Sequence, residues 1–351
     1  MIFLPVSAES IKKAAEILRN GGLVAFPTET VYGLGADAFN SAALAKVFQV
    51  KERPRFDPLI IHIAAAADMK KTSNLSLLSE ERRKKLFLLA ENLWPGPLSI
   101  VLPKGEKVPG IAAAGLSTAA IRLPDNETAR KLIAACGGAV AAPSANPFGS
   151  LSPTRAEHVR EKLGDKIDMI LDGGPARIGL ESTVLDITGE NIKILRPGGT
   201  PKEAIEELIG AVQDGSSAAV DKNAALASPG QLKSHYAPKT PLFALTGEEI
   251  IRLKYEKKCV FLFFDGSTRD AWLKNQSDKP PETVFIRVLS ESGQVIEAAA
   301  RLFEVLHEID SRNFSENLEF SQIFAQFAPP QGLGEAINDR LRRASALDAK
   351  F

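Results

Sequence analysis

Short apolar, β-rich runs alternate with amphipathic helical stretches along most of this 351-residue chain, and that alternation confines it to the α/β class. Through residues 1–210, helical patterns near 7–20, 40–50, 79–92, 126–136, 154–163 and 201–209 are interleaved with the strand-like runs LVAF, LIIHI, SIVLP, AAIRLP, AVAAP, MILD, TVLDI and IKILRP. Several of these runs follow one another across turn-length gaps, which predicts a mixed rather than wholly parallel sheet. Residues 211–228, AVQDGSSAAVDKNAALAS, lose periodicity and become small and polar, as linkers do. Beyond them, residues 240–351 read βαβαβα: PLFAL, a helix near 247–257, VFLFF, TVFIRVL, a long helix near 291–311, then a last strand and helix. The expected organisation is a domain at 1–210, a linker at 211–239 and a smaller parallel, Rossmann-like α/β domain at 240–351.

Charge and cysteine usage remove several function classes. The 43 basic and 43 acidic residues cancel, and ERRKK at 81–85 is the only dense basic tract, so a dedicated nucleic-acid binder is not expected and RNA contact is weak at most. Cys136 and Cys259, far apart in apolar stretches, are too few for a disulfide framework or a cysteine zinc site. With neither a long apolar span nor a signal-like start in MIFLPVSAESIKKAAEILRN, a cytoplasmic protein without membrane association is expected.

Familiar nucleotide and hydrolase signatures are absent: GxxxxGK[ST], GxSxG and HExxH do not occur. GLGADA at 33–38 fits G-x-G-x-x-A, but PTETVY stands between it and the preceding strand, where a dinucleotide fingerprint opens a helix at once. Chemistry must therefore rest on other loops. PTETVYG at 27–33 places two threonine hydroxyls after a strand, and a turn needs the Pro and Gly but neither hydroxyl. KERPRFDPLIIH at 51–62 brings Lys51, Arg53 and Arg55 to a helix end before a buried-looking strand that finishes near His62. For Lys51 and Arg55 a solvated helix end is an equal reading. STAAIRLP at 117–124 puts Arg122 inside an apolar strand, where a lone charge needs a partner: an internal acid and a ligand carboxylate both qualify. AAPSANPFGSLSPT at 141–154 offers Ser144, Asn146, Ser150, Ser152 and Thr154, either as caps of the helix that follows or as part of a phosphate site at its start. LESTVLDI at 180–187 and ILRPGG at 194–199 add Ser182, Thr183 and Arg196, and SPGQLKSHYAP at 228–238 sets His and Tyr together in the linker.

Taken in order, PTETVYGLGA, the KxR of Lys51 to Arg53, PLIIH, STAAIRLP, APSAN with SPT, ESTV and LRPG resemble the threonylcarbamoyl-AMP synthase family, with its YrdC-like domain. SPGQLKSHYAP and the second domain resemble that family's long, two-domain branch. The resemblance implies a twisted mixed YrdC-like sheet that takes ATP, L-threonine and bicarbonate, usually with Mg²⁺, whose ligands it does not identify. Threonine carbamoylation would be followed by attack of the carbamate on the α-phosphate and loss of pyrophosphate. The product would pass to a downstream tRNA threonylcarbamoyl transferase machinery. The family pattern implies Thr30, His62, Arg122, Ala142 and Ser182 around L-threonine, with Arg122 clamping its carboxylate. It implies Arg53, Asp57, Thr118, Ser144, Ser152 and Arg196 around ATP, with Lys51 assisting the phosphates and His235 or Tyr236 closing a lid. Two departures stand out. Asp57 occupies a position where many relatives carry Asn, and its carboxylate would repel phosphate unless it holds the metal or faces away. In the linker, a basic contact found in some relatives would fall to Lys233.

Two other readings compete. A non-catalytic RNA-binding module would need a cationic face with stacking aromatics, whereas residues 1–210 offer Trp94, Tyr32 and scattered Phe. A Rossmann-type oxidoreductase would rely on GLGADA or on the C-terminal domain, which has no glycine fingerprint after VFLFF.

Overall fold

A computed structural model of the chain describes residues 1–216, 236–254, 258–278, 280, 284–316 and 318–345. His235 and Lys233, and with them most of SPGQLKSHYAP, lie outside the described residues. No helix among the described residues is long and apolar enough to cross a membrane. The chain divides into two compact units, Met1–Phe148 with Ser152–Gln231, and Gly149–Leu151 with Leu232–Phe351.

In the first unit the strands are β1 (Ile2–Pro5), β2 (Val24–Phe26), β3 (Gly33–Asp37), β4 (Ile60–Ile63), β5 (Leu98–Pro103), β6 (Thr118–Arg122), β7 (Ala139–Ala141), β8 (Met169–Asp172), β9 (Thr183–Asp186), β10 (Lys193–Arg196) and β11 (Gln213–Asp214). The helices are α1 (Ala8–Arg19), α2 (Ser41–Lys51), α3 (Met69–Thr72), α4 (Glu80–Leu93), α5 (Glu127–Ala135), α6 (Ala156–Leu163) and α7 (Lys202–Ile209). One eleven-stranded sheet runs β1-β8-β2-β3-β7-β4-β6-β5-β9-β10-β11. It is mixed, as the short gaps require: β4 pairs in parallel with β6, which pairs antiparallel with β5, which in turn runs parallel to β9.

Local chemistry explains the helix ends. Ser7 and Ser10 form a reciprocal capping box at α1, whose Ile11, Ala14, Ala15 and Leu18 repeat at helical spacing and are buried. Asn40 caps α2, and Glu52 ends it in the left-handed region at φ 54°. The amides of Glu52 and Arg53 bond back to Gln49 and Phe48, a Schellman closure that turns the chain sharply after Lys51.

Two-residue periodicity in the central strands sorts the faces. Ile61, Ile100, Ile121 and Leu185 enter the main core. Ile60, Val101, Ala120 and Val184 join Leu195 in a smaller apolar cluster. The alternate positions in register with that cluster include His62, Ser99 and Arg122, which lie opposite one another across β4, β6 and β5.

The second unit carries β12 (Leu242–Leu245), β13 (Cys259–Asp265), β14 (Phe285–Ser290) and β15 (Gln322–Gln326), all parallel in the order β12-β15-β13-β14. Helices α8 (Gly247–Arg252), α9 (Gly266–Lys274), α10 (Val295–Ser315) and α11 (Gly334–Ala344) connect or follow them. The parallel α/β pattern expected from the sequence is present. Its long helix starts at Val295 rather than near 291, because Gly293 turns at φ 74° and the Ser290 hydroxyl takes the Gln294 amide.

Candidate active site

The hydroxyl-rich and cationic loops 27–32, 52–59, 142–155, 173–182 and 197–201 all flank strands of the one large sheet. The PTETVYG turn is fixed from within: the Thr28 hydroxyl donates to the Val31 carbonyl at 2.6 Å and sits 2.8 Å from the Thr30 hydroxyl. Tyr32 is buried, donating to the Gly174 carbonyl and accepting from the Gly173 amide. Burial pushes its phenol well above the usual range, so it stays neutral. The turn is stitched to its neighbours by the Tyr32 amide on Pro153 and the Ala145 amide on Tyr32.

GLGAD forms β3, and its glycines serve packing. A Cβ on Gly35 would stand 2.8 Å from Phe26 Cε1 and 3.0 Å from Val140 Cγ1, and one on Gly33 3.2 Å from the Ala142 Cβ. This removes GLGADA as a dinucleotide fingerprint, which needs a loop opening a helix.

The cations fall into two groups. Lys51 is buried, its Nζ donating to the carbonyls of Ser144, at 2.6 Å, and Asn146. Burial, then the Arg53 charge, lower its pKa well below the ordinary lysine value. Arg53 donates to the carbonyls of Asp57 and Pro58 and lies 2.9 Å from the Asp57 carboxylate. Burial raises the Asp57 carboxyl above its ordinary value against the opposing charges of Arg53, Lys51 and Arg196, and its ion pair with Arg53 turns it toward the cationic group rather than away. Arg196 donates to the Ser182 carbonyl at 2.7 Å and to its hydroxyl at 3.2 Å. Arg55 is exposed, the solvated reading.

The second group centres on Arg122, 4% exposed, whose Nη2 is 2.7 Å from Glu29 Oε1. Of the two partners left open by the sequence, an internal acid is therefore present. Neither Nη2 nor either Glu29 oxygen completes a hydrogen bond among the described residues, so the approach is Coulombic rather than a directed bond. His62 stands alongside on β4, its Nδ1 3.3 Å from the Ile60 carbonyl. Burial, then the Arg122 charge, press its pKa down to about 3, leaving a neutral imidazole. On β5, the Ser99 hydroxyl lies 2.8 Å from that of Ser182.

Two straps hold the remaining groups. Gly198 lies against residues 181–183 so closely that a Cβ would meet backbone atoms at 2.4 Å. The Thr183 hydroxyl donates to Thr200, and the Gly199 amide bonds to Glu181. Ser152 donates to the Glu181 carboxylate. Neither Ser152 nor Thr154 caps α6, whose N-cap is Arg155 with no side-chain cap bond. Ala142 packs beside Gly33 with its amide on Ile60, and Thr118 begins β6 opposite Pro103.

Thr30, Lys51, Arg53, Asp57, His62, Thr118, Arg122, Ala142, Ser144, Ser152, Ser182 and Arg196 thus all belong to the first unit. Tyr236 belongs to the second, 1% exposed at φ 64°, its ring 5.7 Å from Phe303 and under the Arg340 guanidinium at 4.9 Å. Sequence reasoning did not single out Glu29, Ser99 or Glu181; the available signals were a polar residue inside LSIVLP and acids inside two hydroxyl-rich motifs. Trp94 and Tyr32, the aromatics an RNA face would need, are both buried. Chemically, four buried cations and hydroxyls beside a neutral imidazole suit anionic ligands held away from water.

Comparison with known proteins agrees along the whole chain. A family model described as telomere recombination (Sua5, YciO, YrdC) matches residues 16–198. One described as the threonylcarbamoyl-AMP synthase C-terminal domain matches residues 200–346. Threonylcarbamoyl-AMP synthase of Pyrococcus abyssi is 39% identical over 337 residues, covering 95% of this chain and 94% of the relative. That of Bacillus subtilis is 39% identical over 346 residues, covering 97% and 94%. The crystal structure of P. abyssi Sua5 complexed with L-threonine matches with a TM-score of 0.83 at 36% identity, covering 98% of this chain and 97% of that one. With both domain models and full-length relatives matched, the chain belongs to the threonylcarbamoyl-AMP synthase family.

Proposed function

We propose that this chain is an L-threonylcarbamoyladenylate synthase, which joins L-threonine, bicarbonate and ATP into threonylcarbamoyl-AMP and pyrophosphate for threonylcarbamoyladenosine in tRNA. The observation that carries this reading is Arg122, a buried guanidinium whose Nη2 has no hydrogen bond among the described residues, set beside neutral His62 and the Ser99–Ser182 hydroxyl pair. A planar fork whose Nη2 makes no directed hydrogen bond suits the α-carboxylate of an amino acid. Neutral His62, with Nδ1 turned to a carbonyl, leaves Nε2 as an acceptor for the threonine hydroxyl or amine.

Lys51, Arg53 and Arg196, which act together on the Asp57 carboxylate, would form the triphosphate side, with the hydroxyls of Thr118, Ser144 and Ser152 as further ATP contacts. Chemistry here needs no covalent enzyme intermediate. Carbamate forms from the amine and bicarbonate with loss of water, and its oxygen then displaces pyrophosphate from the α-phosphate. The chain's part is to hold the two reactants within reach and to meet charge spreading over the phosphate oxygens with fixed cations. No group of three His, Cys, Asp or Glu side chains among the described residues is placed to hold a metal ion. Mg²⁺ would therefore be carried mainly by the triphosphate, with Asp57, ion-paired to Arg53, a carboxylate beside the cationic group, and would supply charge neutralisation there.

Pyrophosphate release from ATP and bicarbonate, with Mg²⁺ supplied, tests the reading. Release should depend on L-threonine and be far weaker with L-serine, which lacks the methyl group. Arg122→Lys, which keeps the charge but loses the fork, should raise the threonine KM by about tenfold or more. Release that is indifferent to threonine would overturn the assignment.

A further inference from the structure

Glu29 is buried at 3% exposure, yet neither carboxylate oxygen has a hydrogen-bond partner among the described residues. The turn that carries it does not need its side chain. Thr28 and Thr30 bond within the turn, Tyr32 anchors it to the residues 173–174 loop, and the Glu29 carbonyl already accepts from the Ile178 amide at 2.8 Å. A carboxylate without donors is costly to bury, and Arg122, off the hydrogen-bonding line at 2.7 Å, offsets only the charge. Arg122 is in the complementary position: its Nε donates to the Gly96 carbonyl at 3.3 Å, and its Nη2 has no directed acceptor.

A carboxylate and a guanidinium that touch as an ion pair yet share no directed hydrogen bond match a ligand that carries both charges on adjacent atoms, as an α-amino acid does. We propose that Glu29 receives the α-ammonium group of the substrate amino acid, its oxygens accepting N–H bonds while Arg122 takes the α-carboxylate. The ligand would then supply the bonds that both side chains lack, and the two charges would be read as a pair. This rests on the reading of the site as one that activates an amino acid. It goes further by assigning the amine contact to a carboxylate, which separates amino acids from hydroxy acids of the same shape.

Calorimetric titration of the full chain tests it with two probes: L-threonine, and the 2,3-dihydroxybutanoate that replaces its ammonium by hydroxyl with the same stereochemistry. The wild type should prefer L-threonine by about tenfold or more, the scale of a charge-assisted hydrogen bond. Glu29→Gln should weaken L-threonine by at least about tenfold and change the hydroxy acid by less than about threefold, erasing most of the preference. Glu29→Asp, which keeps the charge, should retain part of it. A Gln variant that keeps the full preference overturns the proposal. So does one that binds both probes more tightly, because Glu29 would then be only a counter-charge for Arg122. If Glu29→Gln does not fold, the wild type and Glu29→Asp decide: equal affinity of the wild type for both probes overturns the proposal. No binding of L-threonine to folded wild type would remove the amino-acid reading itself, a result distinct from losing the Glu29 assignment alone.

Discussion

At His62, burial and the adjacent Arg122 charge turn an ordinary imidazole into one that stays neutral until about pH 3. The unfolded chain protonates it near its ordinary value of 6.5, so between these limits the unfolded state binds more protons and the folded state loses stability as pH falls. The contribution is fully present above about pH 6.5 and should amount to about 2 kcal/mol between pH 7.5 and pH 5. His62→Gln should unfold with a correspondingly flatter pH dependence than the wild type, as followed by denaturant melts at the two pH values. An equal slope would mean that His62 is protonated in the folded protein. The same residue scale shows what a sequence conceals. Arg122 and His62 declare themselves as polar residues in apolar strands, but Ser99 in LSIVLP is indistinguishable from a strand's solvent-side serine until its register opposite Arg122 is known. Glu29 is likewise masked by a turn motif in which the hydroxyls attract notice.

Among the elements, glycine-rich and polar segments were the least legible. β3 escaped the strand reading because GLGAD lacks the bulky alternation that marks strands, and its glycines answer to Phe26 and Val140, which are distant in sequence. α9, GSTRDAWLK, buries only Gly266 and Trp272, so no helical apolar period announces it between VFLFF and TVFIRVL. The strong periodicity of α1 was readable directly, and α1 and α4 both start at serine caps, Ser7 and Ser79. Two substitutions probe elements that place the site. Glu52 holds a left-handed conformation that Gly adopts freely, and its ion pair with Lys166 is exposed at 3.4 Å. Glu52→Gly should therefore raise stability by about 0.5–1 kcal/mol and leave pyrophosphate release intact, since the turn after Lys51 is preserved. Gly198→Ala is the opposite case, because the 2.4 Å contacts are to backbone that cannot swing aside. It should cost about 3 kcal/mol or more and displace Arg196 from Ser182, with activity falling accordingly. Thermal unfolding of both variants separates these outcomes, and wild-type stability in the Gly198→Ala chain would refute the strap.

For the whole molecule, the class of each sheet was legible in its spacing of strands, whereas the loss of periodicity after residue 210 precedes the boundary between the compact units at Gln231, and no local pattern marks Gly149–Leu151 as part of the second. The crossing order of the strands was not legible, because β8 pairs with β1 and β2 across more than a hundred residues, a pairing that no local pattern encodes. Each unit holds one of the chain's two tryptophans: Trp94, 7% exposed with its Nε1 on the Leu98 carbonyl, and Trp272, fully buried with its Nε1 on Leu253. Their fluorescence can therefore be read separately in Trp272→Phe and Trp94→Phe variants. Every described residue assigned to L-threonine or to the triphosphate, Tyr236 apart, lies in the first unit. Saturating ligand at about a hundred times Kd should stabilise that unit by about 2.7 kcal/mol. In denaturant, L-threonine with ATP should move the Trp94 transition to higher concentration and leave the Trp272 transition where it was. A matching shift in both signals would mean that the units unfold as one cooperative body, with binding energy shared across the chain. A shift confined to Trp272 would place the ligand in the second unit and overturn the site assignment.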